Sequence, residues 1–204
     1  MIKLYSFPLS GHAHRIELML NLLNLPFENI IVDLRKGEQK TEEFLAKFPF
    51  GTVPVIEDGD VTLGDSNGIL IYLAKKYGHG KWLSEDPVQA AEVQGWLSIA
   101  AGKVAFGPAA ARLVTVFGAS LDHENAKIIA NSLFAVMDQT LSETKFLTGN
   151  DITIADVANY TYIAHAPEGG VSLDPYPNIR AWLTRISALD GFVPMVETKV
   201  GLAA

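Results

Sequence analysis

The strongest constraint on the fold is a change of hydrophobic pattern near residue 80. Before it, short runs rich in β-branched residues alternate with segments whose apolar residues recur at helical spacing. After Pro87, every long segment has helical spacing. Residues 79–86 contain Gly80 and end in Ser-Glu-Asp directly before Pro87, which is typical of a linker followed by a helix start. We therefore predict an α/β domain over residues 1–78 and an all-helical domain over residues 87–204.

The first domain is predicted to have the element order βαβαββα. Its strands are expected at residues 2–5, 29–32, 52–56 and 61–63. Its helices are expected from residue 11 to Leu25, over residues 36–48, and from Asp65 to Tyr77. The first two strands should be parallel, because a helix connects them. The last two should form an antiparallel hairpin around a Gly-containing turn.

The second domain is predicted to contain four long helical segments. They lie at about residues 88–116, 122–141, 154–166 and 177–189. Pro108 should kink the first, because proline removes an internal hydrogen bond. Thr153 and Asp156 have the spacing of a capping box, which favours a structural role for Asp156 at a helix start over a role as an acid or base.

Composition excludes several kinds of chemistry. The 204-residue chain has no cysteine, which excludes disulfides, thiolate metal sites and a protein cysteine nucleophile. Its net charge of −7 disfavours nucleic acid as a partner. His12 and His14 are two residues apart and face different sides of a helix, so no metal site is expected. Without a targeting signal or an uninterrupted apolar stretch of about 18 residues, we expect a cytoplasmic protein with no membrane span.

Three short motifs each have a structural and a functional interpretation. Val53-Pro54 is either a trans proline on an edge strand or a cis bond that frees the backbone of Val53 for a ligand. Asp65-Ser66 is either a simple helix cap or a site for the carboxylate and ammonium of an amino-acid head group. Ser10 either caps the first helix or donates its hydroxyl to a ligand atom. Each motif alone leaves both interpretations open.

Taken in order, these motifs resemble the glutathione transferase superfamily. Lys40 is followed by Phe-Pro-Phe-Gly-Thr-Val-Pro-Val-Ile-Glu-Asp-Gly-Asp at residues 48–60 and by Leu-Gly-Asp-Ser at residues 63–66. The family pattern is Asn-Pro-x-Gly-x-Val-Pro, then Asp-Gly, then Glu/Asp-Ser. The cap at residues 150–156 and the helical second half match as well, so the resemblance covers nearly the whole chain. It is strongest to bacterial and phi-type members, which use a serine near the start of the first helix.

The resemblance implies a thioredoxin-like N-terminal domain that binds glutathione and a helical domain that supplies a pocket for a second substrate. Asp65 and Ser66 would hold the γ-glutamyl head group, and Val53, before a cis Pro54, would pair with the cysteinyl unit. Lys40 would approach the glycyl carboxylate. Ser10 would donate a hydrogen bond to the glutathione sulfur, with Tyr5 as the alternative donor. Further glutathione contacts fall on Gln39 and Thr52.

The resemblance also implies a substrate, a partner and a reaction. The second-substrate pocket is assigned to Pro8, Leu9, His12, Phe106, Ala110 and Leu113. The reaction is conjugation of the glutathione thiolate to small hydrophobic electrophiles, and glutathione is the co-substrate, with no metal. Phe50 would insert into a partner subunit of a homodimer.

The chain departs from the family pattern at several positions. Phe48 replaces asparagine, Gln39 a frequent histidine and Thr52 a frequent glutamine, while Gly64 and Gly68 flank the Asp-Ser pair in place of larger residues. These departures leave alternatives open. The alternatives to a conjugating enzyme are a non-catalytic ligand-binding or regulatory protein of this fold, or a glutathione-dependent isomerase, peroxidase or dehalogenase.

Overall fold

The computed structural model describes residues 1–199, which divide into two compact units. The first unit is Met1–Lys81 together with Leu189–Val196. The second is Trp82–Ala188 together with the described residues from Glu197 onward. The final residues of the predicted second domain, 200–204, lie outside the described residues.

The first unit contains a four-stranded sheet with the order β2-β1-β3-β4. Its strands are β1 (Ile2–Ser6), β2 (Phe27–Ile31), β3 (Val55–Asp58) and β4 (Val61–Gly64). The predicted pairing is confirmed: β1 and β2 are parallel, and β3 and β4 form an antiparallel hairpin. Antiparallel pairing of β1 with β3 joins the two halves.

Two strands differ from the sequence prediction. The second strand was expected to be buried, but β2 is an edge strand on which Glu28, Asn29 and Ile31 are exposed. An edge strand tolerates polar residues, which is why β2 begins two residues before the apolar run. The third strand was expected from Thr52, but β3 begins at Val55, after a proline with no N–H to donate to a ladder.

The first unit also contains three α-helices. They are α1 (Gly11–Leu22), α2 (Glu42–Lys47) and α3 (Ser66–Tyr77). The single helix predicted over residues 36–48 is wrong, because a short 3₁₀ turn, Glu38–Lys40, precedes α2. The side chain of Thr41 separates them, since its hydroxyl accepts a hydrogen bond from the amide of Phe44 and starts a new helix.

The C-terminal part of the chain returns to the first unit, which the sequence did not predict. Nε2 of His14 on α1 lies 2.9 Å from the carbonyl oxygen of Val193. Gly191 has φ of +80°, and a Cβ there would lie 2.6 Å from the carbonyl oxygen of Asn21. A glycine is therefore required for this segment to pass so close to the end of α1.

The second unit is helical over most of each predicted segment, although the last two helices end at Ala164 and Ser187, two residues earlier than predicted. Its helices are α4 (Pro87–Ile99), α5 (Ala110–Phe117), α6 (His123–Glu143), α7 (Ile154–Ala164) and α8 (Pro177–Ser187). Between α4 and α5 the chain continues as a π-helical stretch, Ala100–Ala109, which contains Pro108. Pro108 has no N–H to donate within the helix, and the wider π-helical turn accommodates this missing hydrogen bond. A Cβ on Gly107 would lie 2.9 Å from the amide nitrogen of Ala130, so this stretch passes close to α6.

One helix, Pro87–Phe117, is long and apolar enough to cross a membrane by length and composition alone. Half of its most apolar 18-residue stretch is buried inside the structure. Ala100, Val104 and Ala111 have no exposed surface at all. This burial is what a core helix of a helical unit requires.

The predicted capping box at the start of α7 is confirmed. The hydroxyl of Thr153 accepts from the amide of Ala155, and Asp156 accepts from the amide of Thr153 at 2.9 Å. Asp156 also accepts from the amide of Leu147 and from Nε1 of Trp182. Burial raises the pKa of Asp156 to about 6, against the effect of these hydrogen bonds.

Candidate active site

Ser10 lies at the N-terminus of α1 and caps it. Its hydroxyl oxygen accepts a hydrogen bond from the amide of Ala13 at 3.2 Å. A hydroxyl has two lone pairs and one proton, so the cap uses one lone pair and leaves the proton to be donated. The structural and functional interpretations of Ser10 are therefore compatible with one another.

Asp65 precedes α3 in a strained backbone conformation. Its φ is +64°, a region that residues with a side chain rarely adopt. The side chain is exposed and accepts from the amide of Gly68 at 2.9 Å, which caps α3. Strain of this kind costs about 1–3 kcal/mol and is concentrated at functional sites. The strained backbone and the Asp-Ser motif therefore both indicate Asp65 as a candidate site residue.

Ser66 is buried at the first position of α3, where two nitrogen atoms approach its hydroxyl. Nη1 of Arg15 donates to Ser66 Oγ at 3.1 Å, and Nδ1 of His12 lies 3.3 Å from the same oxygen. Nη1 of Arg15 also donates to Oδ1 of Asn67 at 2.9 Å. The structure therefore brings His12, which was assigned to the second-substrate pocket, against Ser66.

Arg15 was missed at the sequence level. It is 1% exposed, which is rare for an arginine. A signal was present, because Arg15 lies four residues before Met19, on the stripe of α1 that the helical spacing reserves for apolar side chains. A charged residue in such a position indicates a buried polar partner.

The loop before β3 contains the second group of predicted residues. The Val53-Pro54 peptide bond is cis, as the family resemblance implied. Gly51 has φ of +59°, and a Cβ on it would lie 2.7 Å from the carbonyl oxygen of Gln39 and 2.9 Å from Nζ of Lys40. Only glycine fits so tight an approach, and it brings Gln39 and Lys40 beside the loop that carries Thr52 and Val53.

Two polar side chains of the 3₁₀ turn beside this loop have distinct surroundings. Lys40 is exposed, and its Nζ donates to the carbonyl oxygen of Phe50 at 3.1 Å. Oε1 of Gln39 is buried and has no hydrogen-bond partner among residues 1–199. Because this oxygen is buried, the side chain of Gln39 would have to turn outward before Oε1 could accept a hydrogen bond from a ligand.

Tyr5, the alternative thiol activator, lies on β1 with its ring packed edge-on against Phe44 at 6.2 Å. The ammonium of Lys47 lies 5.0 Å from the centre of the ring. The hydrogen bond between Lys47 and Glu57, 2.7 Å long, raises the pKa of Lys47 and lowers that of Glu57. The ring of Tyr5 therefore packs against Phe44 and Lys47.

The residues assigned to the second-substrate pocket lie in both units. Pro8, Leu9 and His12 belong to the first unit, and Phe106, Ala110 and Leu113 belong to the second. Phe106 is 66% exposed and Leu113 is 42% exposed, whereas Ala110 is buried. Within residues 1–199, no group of three or more His, Cys, Asp or Glu side chains is placed to hold a metal ion.

Comparison with known proteins identifies the family. The model described as glutathione S-transferase, N-terminal domain, matches residues 4–82, and that described as glutathione S-transferase, C-terminal domain, matches residues 111–190. The chain belongs to the glutathione transferase superfamily. The predicted thioredoxin-like first domain and helical second domain are thereby confirmed, and the chain has glutathione transferase activity as its general function.

Glutathione transferases from several kingdoms are similar over nearly their whole length. Glutathione S-transferase 3 of Zea mays is 34% identical, over 94% of this chain and 91% of its own. The crystal structure of a glutathione S-transferase from Pseudomonas fluorescens is 35% identical with a TM-score of 0.90, covering 96% of this chain and 99% of its own. A glutathione transferase homologue from Drosophila mojavensis, solved with bound glutathione, is 29% identical with a TM-score of 0.83, covering 92% and 88%.

Proposed function

We propose that this glutathione transferase conjugates the glutathione thiolate to small hydrophobic electrophiles, with Ser10 as the residue that activates the thiol. The observation that carries the proposal is the position of Ser10 at the start of α1, with one lone pair used by the cap and a proton left to donate. A thiol with a pKa near 8.5 is mostly protonated at neutral pH, and only the thiolate is strongly nucleophilic. A hydroxyl donor at the positive end of a helix stabilises the thiolate.

Glutathione is proposed to bind along the first unit. Asp65 and Ser66, at the start of α3, take the ammonium and carboxylate of the γ-glutamyl head group. The backbone of Val53 pairs with the cysteinyl unit, and Lys40 takes the glycyl carboxylate. Gln39 and Thr52 complete the site.

The reaction requires little covalent chemistry from the protein. The thiol proton is lost to solvent on ionisation. With an aryl halide, the sulfur–carbon bond forms as halide departs with its electron pair. With an isothiocyanate, the thiolate adds to the central carbon and the nitrogen takes a proton from water. Ser10 donates a hydrogen bond to the sulfur before the attack. Exposed apolar side chains such as Phe106 and Leu113 are suited to hold an apolar electrophile.

The test is the rate of conjugation by Ser10→Ala, with an aryl halide, an isothiocyanate and a hydroperoxide as electrophiles. We expect kcat/KM to fall on the order of 100-fold, while the Kd of glutathione changes little. Asp122→Ala is the matched control, because Asp122 caps α6 through the amide of Asn125 and removing it costs a comparable amount of helix stability. A loss of rate in Tyr5→Phe but not in Ser10→Ala would assign the role to Tyr5.

The panel of electrophiles also separates the reaction types. Turnover of the aryl halide and the isothiocyanate supports conjugation, whereas turnover of the hydroperoxide alone indicates a peroxidase. Background rates with every electrophile, despite saturable glutathione binding, would overturn the catalytic proposal.

We also propose a cytoplasmic homodimer in which Phe50 contacts the partner subunit. The Phe50 ring is 75% exposed, which is unusual for an aromatic side chain. The centres of the Phe50 and Phe48 rings are 5.3 Å apart, and Nζ of Lys40 donates a hydrogen bond to the carbonyl oxygen of Phe50. An exposed ring in such a supported loop is suited to be an interface anchor.

A further inference from the structure

The hydroxyl of Ser66 has an unusual set of neighbours for a residue proposed to hold a ligand. Arg15 is almost fully buried and lies directly behind the hydroxyl, with Nη1 at 3.1 Å. His12 comes from the same helix, one turn earlier, with Nδ1 at 3.3 Å. Both contacts lie inside the first unit, and both approach the first turn of α3.

Counting donors and acceptors shows what these neighbours do. A guanidinium can only donate, so Arg15 occupies one lone pair of Ser66 Oγ. Nδ1 of a neutral histidine donates or accepts according to its tautomer. In the tautomer that carries the proton on Nδ1, His12 occupies the second lone pair. The hydroxyl proton of Ser66 then has no acceptor on that side and is directed toward the ligand.

We propose that Arg15 and His12 are positioning residues that direct the Ser66 hydroxyl toward the α-carboxylate of the γ-glutamyl head group and so make the site selective for that carboxylate. The inference rests on the proposed glutathione site. It adds two residues to that site, neither of which touches the reacting sulfur. Asn67 contributes by accepting the second hydrogen bond of Arg15 Nη1 at 2.9 Å, which fixes the guanidinium.

The charge distribution supports the same role. A buried guanidinium and the N-terminus of α3 both create a positive potential where a carboxylate is proposed to bind. Burial, together with the charge of Arg15, lowers the pKa of His12 to about 3. His12 is therefore neutral at physiological pH, so it contributes a hydrogen bond and not a second charge.

The test compares two ligands that differ only in the group in question. One is glutathione, and the other is the analogue in which 4-aminobutyrate replaces the γ-glutamyl residue, so that the α-carboxylate is missing. Calorimetric titration gives the Kd of each, and their ratio measures the preference for the carboxylate. For Arg15→Gln and His12→Phe we expect this ratio to fall about tenfold or more, because each removes a hydrogen bond that supports recognition of a charged group.

The conservative variants separate positioning from packing. His12→Asn retains a donor near the place of Nδ1 and is expected to recover most of the preference, whereas His12→Phe retains only the ring. His14→Phe is the matched control on the same helix, because Nε2 of His14 lies 2.9 Å from the carbonyl oxygen of Val193. His14→Phe is expected to lower stability while leaving the ratio of the two Kd values unchanged.

The possible results distinguish this inference from the proposed function. If the unmodified protein shows no saturable binding of glutathione at millimolar concentration, the proposed glutathione site itself fails. If glutathione binds and the ratio is the same in His12→Phe and Arg15→Gln as in the unmodified protein, the positioning role is overturned while the site stands. Where Arg15→Gln does not fold, the partly exposed His12 variants decide the question alone.

Discussion

The ring of Phe48 lies against the α-carbon of Gly64, so that a Cβ on the glycine would come within 2.3 Å of the ring atoms. Gly64 is the last residue of β4, directly before Asp65. Phe48 also packs on the buried cluster that contains Phe44 and Val53. Both residues depart from the family pattern, and the ring at position 48 occupies the volume that a side chain at position 64 would need.

Gly64→Ala is therefore expected to destabilise the first unit by about 1–3 kcal/mol through overpacking. The close atoms include Cγ of Phe48, near the rigid base of the side chain, so the ring cannot simply swing its tip away. In a Phe48→Asn background, the cost of the alanine should largely disappear. Urea denaturation of the two single variants and the double variant measures the coupling.

Gly95→Ala provides the matched control for this experiment. Gly95 lies inside α4, and a Cβ there has no atom within 4 Å. This substitution should stabilise the protein by about 0.5–1 kcal/mol, the difference in helix propensity. A Gly64→Ala cost that is the same with phenylalanine and with asparagine at position 48 would show that the contact is not the cause.

Lys40→Met is expected to weaken binding of glutathione about two- to fivefold, the usual range for an exposed ion pair. γ-Glutamylcysteine lacks the glycyl carboxylate that Lys40 is proposed to bind, so it should bind equally well to both proteins. Calorimetry at low and high salt checks the electrostatic origin, since salt screens exposed pairs. Lys36→Met, which removes a lysine paired with Asp33 on the surface, should leave both affinities unchanged.

Glu168 is the centre of a buried network in the second unit. Its carboxylate accepts from Nε of Arg112 and, at 2.6 and 2.9 Å, from the hydroxyl and the amide of Thr198. Nδ1 of His165 lies 2.8 Å away. Burial works to raise the pKa of Glu168, but the hydrogen bonds from Thr198, His165 and Arg112 outweigh it and lower the pKa to about 2.

This shift predicts a pH dependence of stability. Because the pKa is lower in the folded protein than the ordinary value of 4.5, the stabilisation is present above about pH 4.5 and is lost as the pH falls toward 2. The difference in unfolding free energy between the unmodified protein and Glu168→Gln should therefore shrink as the pH is lowered over this range. The raised pKa of Asp156 makes its contribution to the unfolding free energy change with pH in the opposite direction. This contribution cancels in the difference because both proteins contain Asp156. A difference that is constant with pH would contradict the role of the Glu168 charge.

Phe50→Ser is expected to convert a dimer into a monomer at micromolar concentration, as measured by sedimentation. An aromatic anchor at the centre of an interface contributes on the order of 2 kcal/mol or more. Phe106→Ser removes an aromatic ring of similar exposure and should leave the mass unchanged. A monomeric unmodified protein would exclude the dimer.

Much of the fold and part of the candidate site could be predicted from local patterns. The parallel and antiparallel pairings follow from connection length, and the Thr153–Asp156 cap follows from spacing. The position of Arg15 behind Ser66 could not be predicted, because the contact joins residues 51 positions apart. The π-helical winding around Pro108 was not predicted either, since a proline indicates disruption but not the winding that accommodates it.

The return of Leu189–Val196 to the first unit has a consequence for biosynthesis. Ribosomes add about 5–20 residues per second, so this segment emerges on the order of ten seconds after Lys81. Until then the nascent first unit lacks the Leu189–Val196 segment, in which Val193 bonds to His14 and Gly191 crosses the end of α1. The first unit is therefore completed only after Trp82–Ala188 of the second unit has been translated, although most of its own residues are translated first.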